Sequence, residues 1–288
     1  MCRKYILGNS LETIKKRFNV EAPSINDWEI GQIISQGDET LIITQENPNE
    51  IILSTFGMTP AWSNQPMQII NARAEGDKNP GNNPAFTGSK SIFLKPAFQK
   101  PLFFRRCLVI ADAFIEWSVS GTQQPYLIYL RNHERPFTMA GLYEIWLNPA
   151  TSEKHHSFTI ITVPGNTLLH KLPYTRMPVI LEKGREFRWL KPDLSLREIL
   201  SQLQIYPSKL MNAYPISPQI KDISENYKKL IQPVGNKILT EDEPNLRHTL
   251  NTSGWYHHKK RPSSNEPTST MAERLEQSIA KEKQQQDK

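Results

Sequence analysis

Cys2 directly follows Met1, and loss of that single residue would leave an amine and a thiol on neighbouring carbons. A free α-amine titrates at about 7.7–8, so part of it is neutral near pH 7 and able to add to an aldehyde. The thiol, near about 8.5, can then close on the imine and form a five-membered thiazolidine ring. In IINARAEGDKNP, Asn71, Arg73 and Glu75 alternate, which on a strand or extended loop puts all three on one face. Arg offers a planar fork for phosphate and Asn both a donor and an acceptor, though the same pattern also fits the solvent face of an edge strand. In RRCLVIADAFIEW, Asp112 and Glu116 interrupt an apolar run. A Glu held against Phe114 and Trp117 would have a raised pKa and could exchange protons near neutrality. The competing reading is a salt bridge to Arg105 or Arg106. Cys107 lies inside the run and reads as an inert core thiol. In PYTRMPVIL, Arg176 precedes a proline-interrupted strand, with Tyr174 two and His170 six residues ahead. His155 and His156 follow a polar turn that lacks two further ligands, so no metal centre is expected.

The elements that must position these groups are mainly strands. Apolar and β-branched runs recur at LIITQ, IILSTF, CLVIADAFIEW, PYLIYL, FTMAGLYEIW, FTIITV and MPVIL, most of them bounded by Pro, Gly or Asn. Helical patterns are fewer: Leu11 to Phe18, Thr167 to Lys171, and Leu196 to Leu203 after a DLS turn whose Asp or Ser can cap it. The expected class is α+β, a single domain over 1–238. From about Leu239 the chain is polar and rich in charge, Gln and Ser, so 239–288 reads as a disordered tail.

Composition sets the surroundings. A chain of 288 residues buries a core large enough to fold without staples, and 22 Pro against 13 Gly predict many fixed turns. The net charge of +6, with a pI near 9.2, favours an anionic partner such as nucleic acid. Two cysteines make neither a disulfide framework nor a zinc site, which points to a cytoplasmic protein. No apolar run reaches the roughly 18 residues of a membrane span, and MCRKYILGNS lacks the order of a signal peptide.

Taken in order, MCRKY, FGMTPAW, INARAE, RRCLVIADAFIEW, PYLIYL, MAGLYEIW and TRMPVIL resemble the SOS response-associated peptidase (SRAP) family of abasic-site processing proteins. The resemblance runs from Cys2 to about Gln232 or Val234. It implies a β-barrel-like core, a basic groove for single-stranded DNA bearing abasic sites, no cofactor, a monomer that joins the nucleoid during DNA damage, and release of Met1 by the protein's own peptidase activity. It further implies a covalent, lyase-like reaction at the lesion. Carried over by motif, Cys2 is the nucleophile, Asn71 positions the N-terminal residue, Arg73 binds DNA phosphate, and Glu116 handles protons. Lys4 and Arg176 add positive charge toward DNA, and Met58 and Trp62 form part of the wall where bases are parted or stacked.

Two departures from the family pattern stand out. The usual Met-Cys-Gly-Arg start is here Met1, Cys2, Arg3, Lys4, which removes a glycine's backbone freedom. The family's His two residues before the Arg matching Arg176 is here Tyr174, a poor base that still donates a hydrogen bond, with His170 as a substitute if the loop folds back. Two other readings stay open: a self-activating peptidase or amidohydrolase with other substrates, and a non-covalent single-strand binding module.

Overall fold

Residues 2–240 are described by a computed structural model, apart from 26–27, 30, 118–123, 132–134, 173 and 222–226. All belong to the first of two units into which the chain divides, Met1–Tyr256 and His257–Lys288. The polar tail therefore falls outside the described residues. Leu239 does not: its N–H and C=O are both bound by the Asn212 side chain.

The apolar runs become strands that close on themselves. Strands β3 (Glu39–Thr44), β4 (Ile51–Phe56), β6 (Arg106–Ala111), β9 (Phe137–Leu147) and β10 (Lys154–Pro164) pair in the cyclic order β10–β4–β3–β6–β9–β10. Closure leaves this five-stranded barrel without an edge between its members. The register places Ile42, Phe56, Cys107, Val109 and Phe158, all fully buried, on its inner face, with the Phe56 and Phe158 rings stacked at 5.3 Å. At Gly141 on β9 a Cβ would come within 2.7 Å of Cys107 Sγ, so the barrel wall is too close there for any side chain. Cys107 is fully buried, which fits a packing thiol.

A second sheet runs β12 (Met211–Pro215), β8 (Pro125–Leu130), β7 (Ala113–Trp117), β1 (Lys4–Leu7), β2 (Gln32–Ser35). One residue, Asp112, separates barrel strand β6 from β7 of this sheet. That position explains its burial: Asp112 accepts from Gly8 N at 2.5 Å and Asn9 Nδ2 at 2.6 Å, tying the end of β1 to the corner. The short strands β5 (Asn71–Arg73) and β11 (Arg176–Pro178) both pair with β10, β5 parallel and β11 antiparallel.

The three expected helices form as α1 (Leu11–Phe18), α3 (Thr167–Lys171) and α4 (Leu196–Gln202), capped by Ser10, Asn166 and a Ser195–Glu198 capping box. Helix α2 (Pro96–Phe104) was not foreseen, because PAFQKPLFF carries two prolines; Pro96 sits in the first turn, where no N–H is needed, and Pro101 lies inside. A four-residue helix, α5 (Tyr227–Leu230), is the last among the described residues. The fold is thus the α+β arrangement with a barrel core and short helices that the sequence implied.

Candidate active site

Strand β1 carries Cys2 to the site. Its antiparallel pairing with β7 matches Lys4 to Ile115, so one step further Arg3 stands opposite Glu116 and Cys2 lies at the same end. Cys2 is fully buried. Its carbonyl accepts from Asn71 Nδ2 at 3.0 Å, and its thiol points to the Lys4 carbonyl across 3.8 Å. Asn71 comes from β5, which β10 holds in register with Ile160. Three elements distant in sequence therefore converge on residue 2.

Burial pushes the Cys2 thiol well up, and the neighbouring Glu116 carboxylate adds to the effect. Glu116 is itself raised above the ordinary carboxylate value of 4.5, again by burial, with Arg3 among the charges opposing it. The salt bridge to Arg105 or Arg106 does not form. Arg105 pairs with Glu144, and Arg106, fully buried, donates to the carbonyls of Leu102, Phe103, Trp189 and Lys191. Burial lowers Arg106 to about 10. Asp112, raised by burial, serves the corner beside β1 and not the site.

Tyr174 is buried, and its hydroxyl donates to the backbone carbonyls of Glu116 at 2.8 Å and Gln124 at 3.3 Å. The phenol thus binds the backbone that carries Glu116. Burial raises the Tyr174 pKa well above 10, with the Glu116 charge contributing, so it remains a donor. His170 is exposed in the last turn of α3 while Cys2 and Glu116 are buried, so the loop does not fold it back into the cluster.

Beyond Asn71, the polar residues of the 71–75 stripe are divided between two tasks. Glu75 turns inward to a buried ion pair with Arg176 at 2.9 Å. Arg176 also donates to the Thr162 carbonyl and hydroxyl, and only 2% of its side chain is exposed, with burial pulling its pKa down. Arg176, expected as a DNA contact, is here enclosed by Thr162, Glu75 and Asn82, so a strand phosphate could reach it only where that enclosure opens. Arg73 Nη2 donates to Asn79 O and to Asn82 Oδ1. Sequence reasoning missed Asn79 and Asn82, whose only signal was the unusually Asn-rich run KNPGNN.

The FGMTPAW loop separates its two expected residues. Met58 is fully buried and bridges Ile69, so it cannot present itself to bases as expected; its apolar side chain completes the core. Trp62 is 61% exposed at the loop tip. The loop is held rigid by Thr59 bonds to Met67 and by Trp146 Nε1 donating to Ser63 O at 2.7 Å. Lys4 is half-buried and donates to Ser35 Oγ at 3.0 Å. Arg3 is exposed and is not among the positive-φ residues Asn19, Asn82 and Ser152, so this chain does not use the backbone freedom that glycine would confer there. Among the described residues no three His, Cys, Asp or Glu side chains gather as a metal site.

The model of the family described as SOS response associated peptidase (SRAP) matches residues 1–223. A Bacillus subtilis (strain 168) protein named abasic site processing protein YoqW is 30% identical over 246 residues, covering 81% of this chain and 99% of that protein. The Rattus norvegicus abasic site processing protein HMCES is 33% identical over 186 residues, 54% of this chain and 51% of that longer protein. A crystal structure of a Bacteroides thetaiotaomicron protein superposes with a TM-score of 0.69 at 28% identity, over 81% of this chain and 100% of that one. With the matched region reaching from the start of the chain past β12, and Asn71 and the buried Glu116 brought beside the buried Cys2, this protein belongs to the SOS response associated peptidase (SRAP) family.

Proposed function

We propose that this protein processes abasic sites in single-stranded DNA by forming a covalent bond through Cys2. The observation that carries the reading is the hold of Asn71 on the Cys2 carbonyl beside the buried Glu116, in a chain whose relatives are named for abasic-site processing. Hydrolysis of the Met1–Cys2 peptide bond consumes one water, releases methionine and frees the Cys2 amine. That amine adds to the aldehyde of the ring-opened lesion, and the carbinolamine loses water to give an imine. The thiol then adds to the imine carbon and its proton passes to nitrogen, closing the thiazolidine. Protons must leave and return at the carbinolamine oxygen and the ring nitrogen. Glu116, buried beside Cys2 and raised above the ordinary carboxylate value by that burial, is the group placed to move them. The thiol, held protonated by burial and by the Glu116 charge, stays unreactive until it has the imine to attack.

The strand is bound by charge and stacking. Arg73 supplies phosphate contact and the exposed Trp62 a platform for a base. The test is incubation with a single-stranded oligonucleotide carrying one abasic site, followed by a denaturing gel and intact-mass measurement. A stable adduct on protein lacking Met1, lost in Cys2→Ala, is expected. Active protein that retains Met1 would remove the aminothiol mechanism. A second reading, strand binding with slowed chemistry, is favoured by one observation: the Tyr174 phenol is committed to two backbone carbonyls where the family has a titrating His. Salt-sensitive binding without an adduct would be its signature.

A further inference from the structure

The guanidinium groups of Arg73 and Arg176, brought to the same end of β10 by β5 and β11, converge on one atom. Asn82 Oδ1 lies 3.0 Å from Arg73 Nη2 and 3.0 Å from Arg176 Nη1. Two donors facing that atom assign it as the amide oxygen. The remaining amide nitrogen reaches Thr175 Oγ1 at 3.4 Å. Glu75 is the carboxylate serving the pair and its bond goes to Arg176, so the cluster of two arginines and one glutamate keeps an excess positive charge. Arg73 Nε is buried with no hydrogen-bond partner among the described residues. Two guanidinium groups aimed at one oxygen, one of them with a donor to spare, match a phosphate oxygen far better than a neutral amide.

Asn82 reaches this place from a left-handed backbone, φ 53°, in the connection 76–91 between β5 and the turn at Ile92. Asn tolerates that conformation better than most residues but still at some cost. Most of 77–89 is exposed, and the connection is pinned mainly by polar contacts, with Asn79 and Asn83 bonded to each other and Lys90 Nζ donating to Leu200 O. A segment held in this way can open locally at little cost.

We propose that Asn82 is a neutral placeholder for a strand phosphate: its amide oxygen occupies the cradle between Arg73 and Arg176, and the 76–91 connection must release it before DNA seats. The proposal rests on reading Arg73 as a phosphate contact. It makes Asn82 a gate on binding affinity, since closing the cradle lowers the apparent affinity by the fraction of molecules that are open.

Two substitutions of opposite sign test it, with an undamaged single-stranded oligonucleotide as probe and fluorescence anisotropy at fixed salt as readout. Asn82→Asp, of the same shape, places a charge against both arginines and should weaken binding by about tenfold, the scale of a hydrogen bond strengthened by charge, while raising the melting temperature. Asn82→Gly keeps the left-handed backbone without strain, removes the amide and should tighten binding severalfold. Losses in both variants, or an Asn82→Asp protein that binds like the parent, would overturn the gate. The oligonucleotide has no aldehyde, so failure of Cys2 to form an adduct leaves this comparison intact. If the parent binds no DNA, inorganic phosphate followed by thermal shift decides: it should stabilise Asn82→Gly more than the parent and Asn82→Asp least, and equal shifts in all three overturn the proposal.

Discussion

Tyr174→Phe removes one hydroxyl whose two acceptors are known, the carbonyls of Glu116 at 2.8 Å and Gln124 at 3.3 Å. The ring remains to fill its buried space, so the change reads the hydrogen bonds and little else. The single O–H, directed mainly to Glu116 and shared at longer range with Gln124, is worth about 1–2 kcal/mol net, with little chance for water to replace it in a buried site. For a domain of this size that corresponds to a fall in melting temperature of roughly 2–8 °C. Because the phenol binds the backbone of β7 and not the Glu116 carboxylate, adduct formation should slow only modestly and its pH profile should keep its shape. Thermal unfolding and single-turnover crosslinking from pH 5 to 9 measure both. A variant as stable as the parent but crosslinking more than about tenfold slower, equivalent to about 1.4 kcal/mol of barrier, would place the phenol in the chemistry and refute this reasoning. Tyr174→His is the complementary change: an imidazole titrating near about 6.5 should speed release of the adduct or of Met1 and add a limb to the profile in that range.

Other substitutions separate chemistry from binding. Glu116→Gln should be the most damaging change to adduct formation after Cys2→Ala, yet it should stabilise the fold at pH 7. The folded-state pKa of Glu116 is raised, so ionisation favours the unfolded chain as pH climbs past 4.5, and the stability advantage of Gln should vanish below that value in denaturant titrations. Arg73→Ala should reduce the salt dependence of single-strand binding by about 0.7 in the log–log slope, and an unchanged slope with lost crosslinking would move Arg73 into the chemistry or the fold. Trp62→Ala should cost about 1–3 kcal/mol of strand affinity without altering the melting temperature, because the ring is exposed; a large loss of stability would contradict a stacking role.

Local sequence specified most of the long elements, though not α2 with its two prolines. The β-branched runs of β3, β4, β6, β8, β9 and β10 announce themselves because each buries nearly continuous apolar faces, and α1, α3 and α4 do so through periodicity and capping residues. Strands β1, β2 and β12 carried weaker signals, being only four or five residues long and interrupted by polar groups. The types of Cys2 and Glu116 suggested a chemistry, whereas Asn71 took its expected role from the family resemblance alone. Tertiary structure decided which groups meet. Register on β7 brings Glu116 to residue 2, and β10 gathers β5 and β11 from about a hundred residues apart, pairing Glu75 with Arg176 and closing Asn82 over Arg73. Alternation along a strand predicts which side chains share a face, but whether that face meets water, a buried partner or a neighbouring loop depends on contacts that no local pattern encodes. Met58 and Trp62 make the point within one loop: four residues apart, one is enclosed by the barrel and the other stands in solvent.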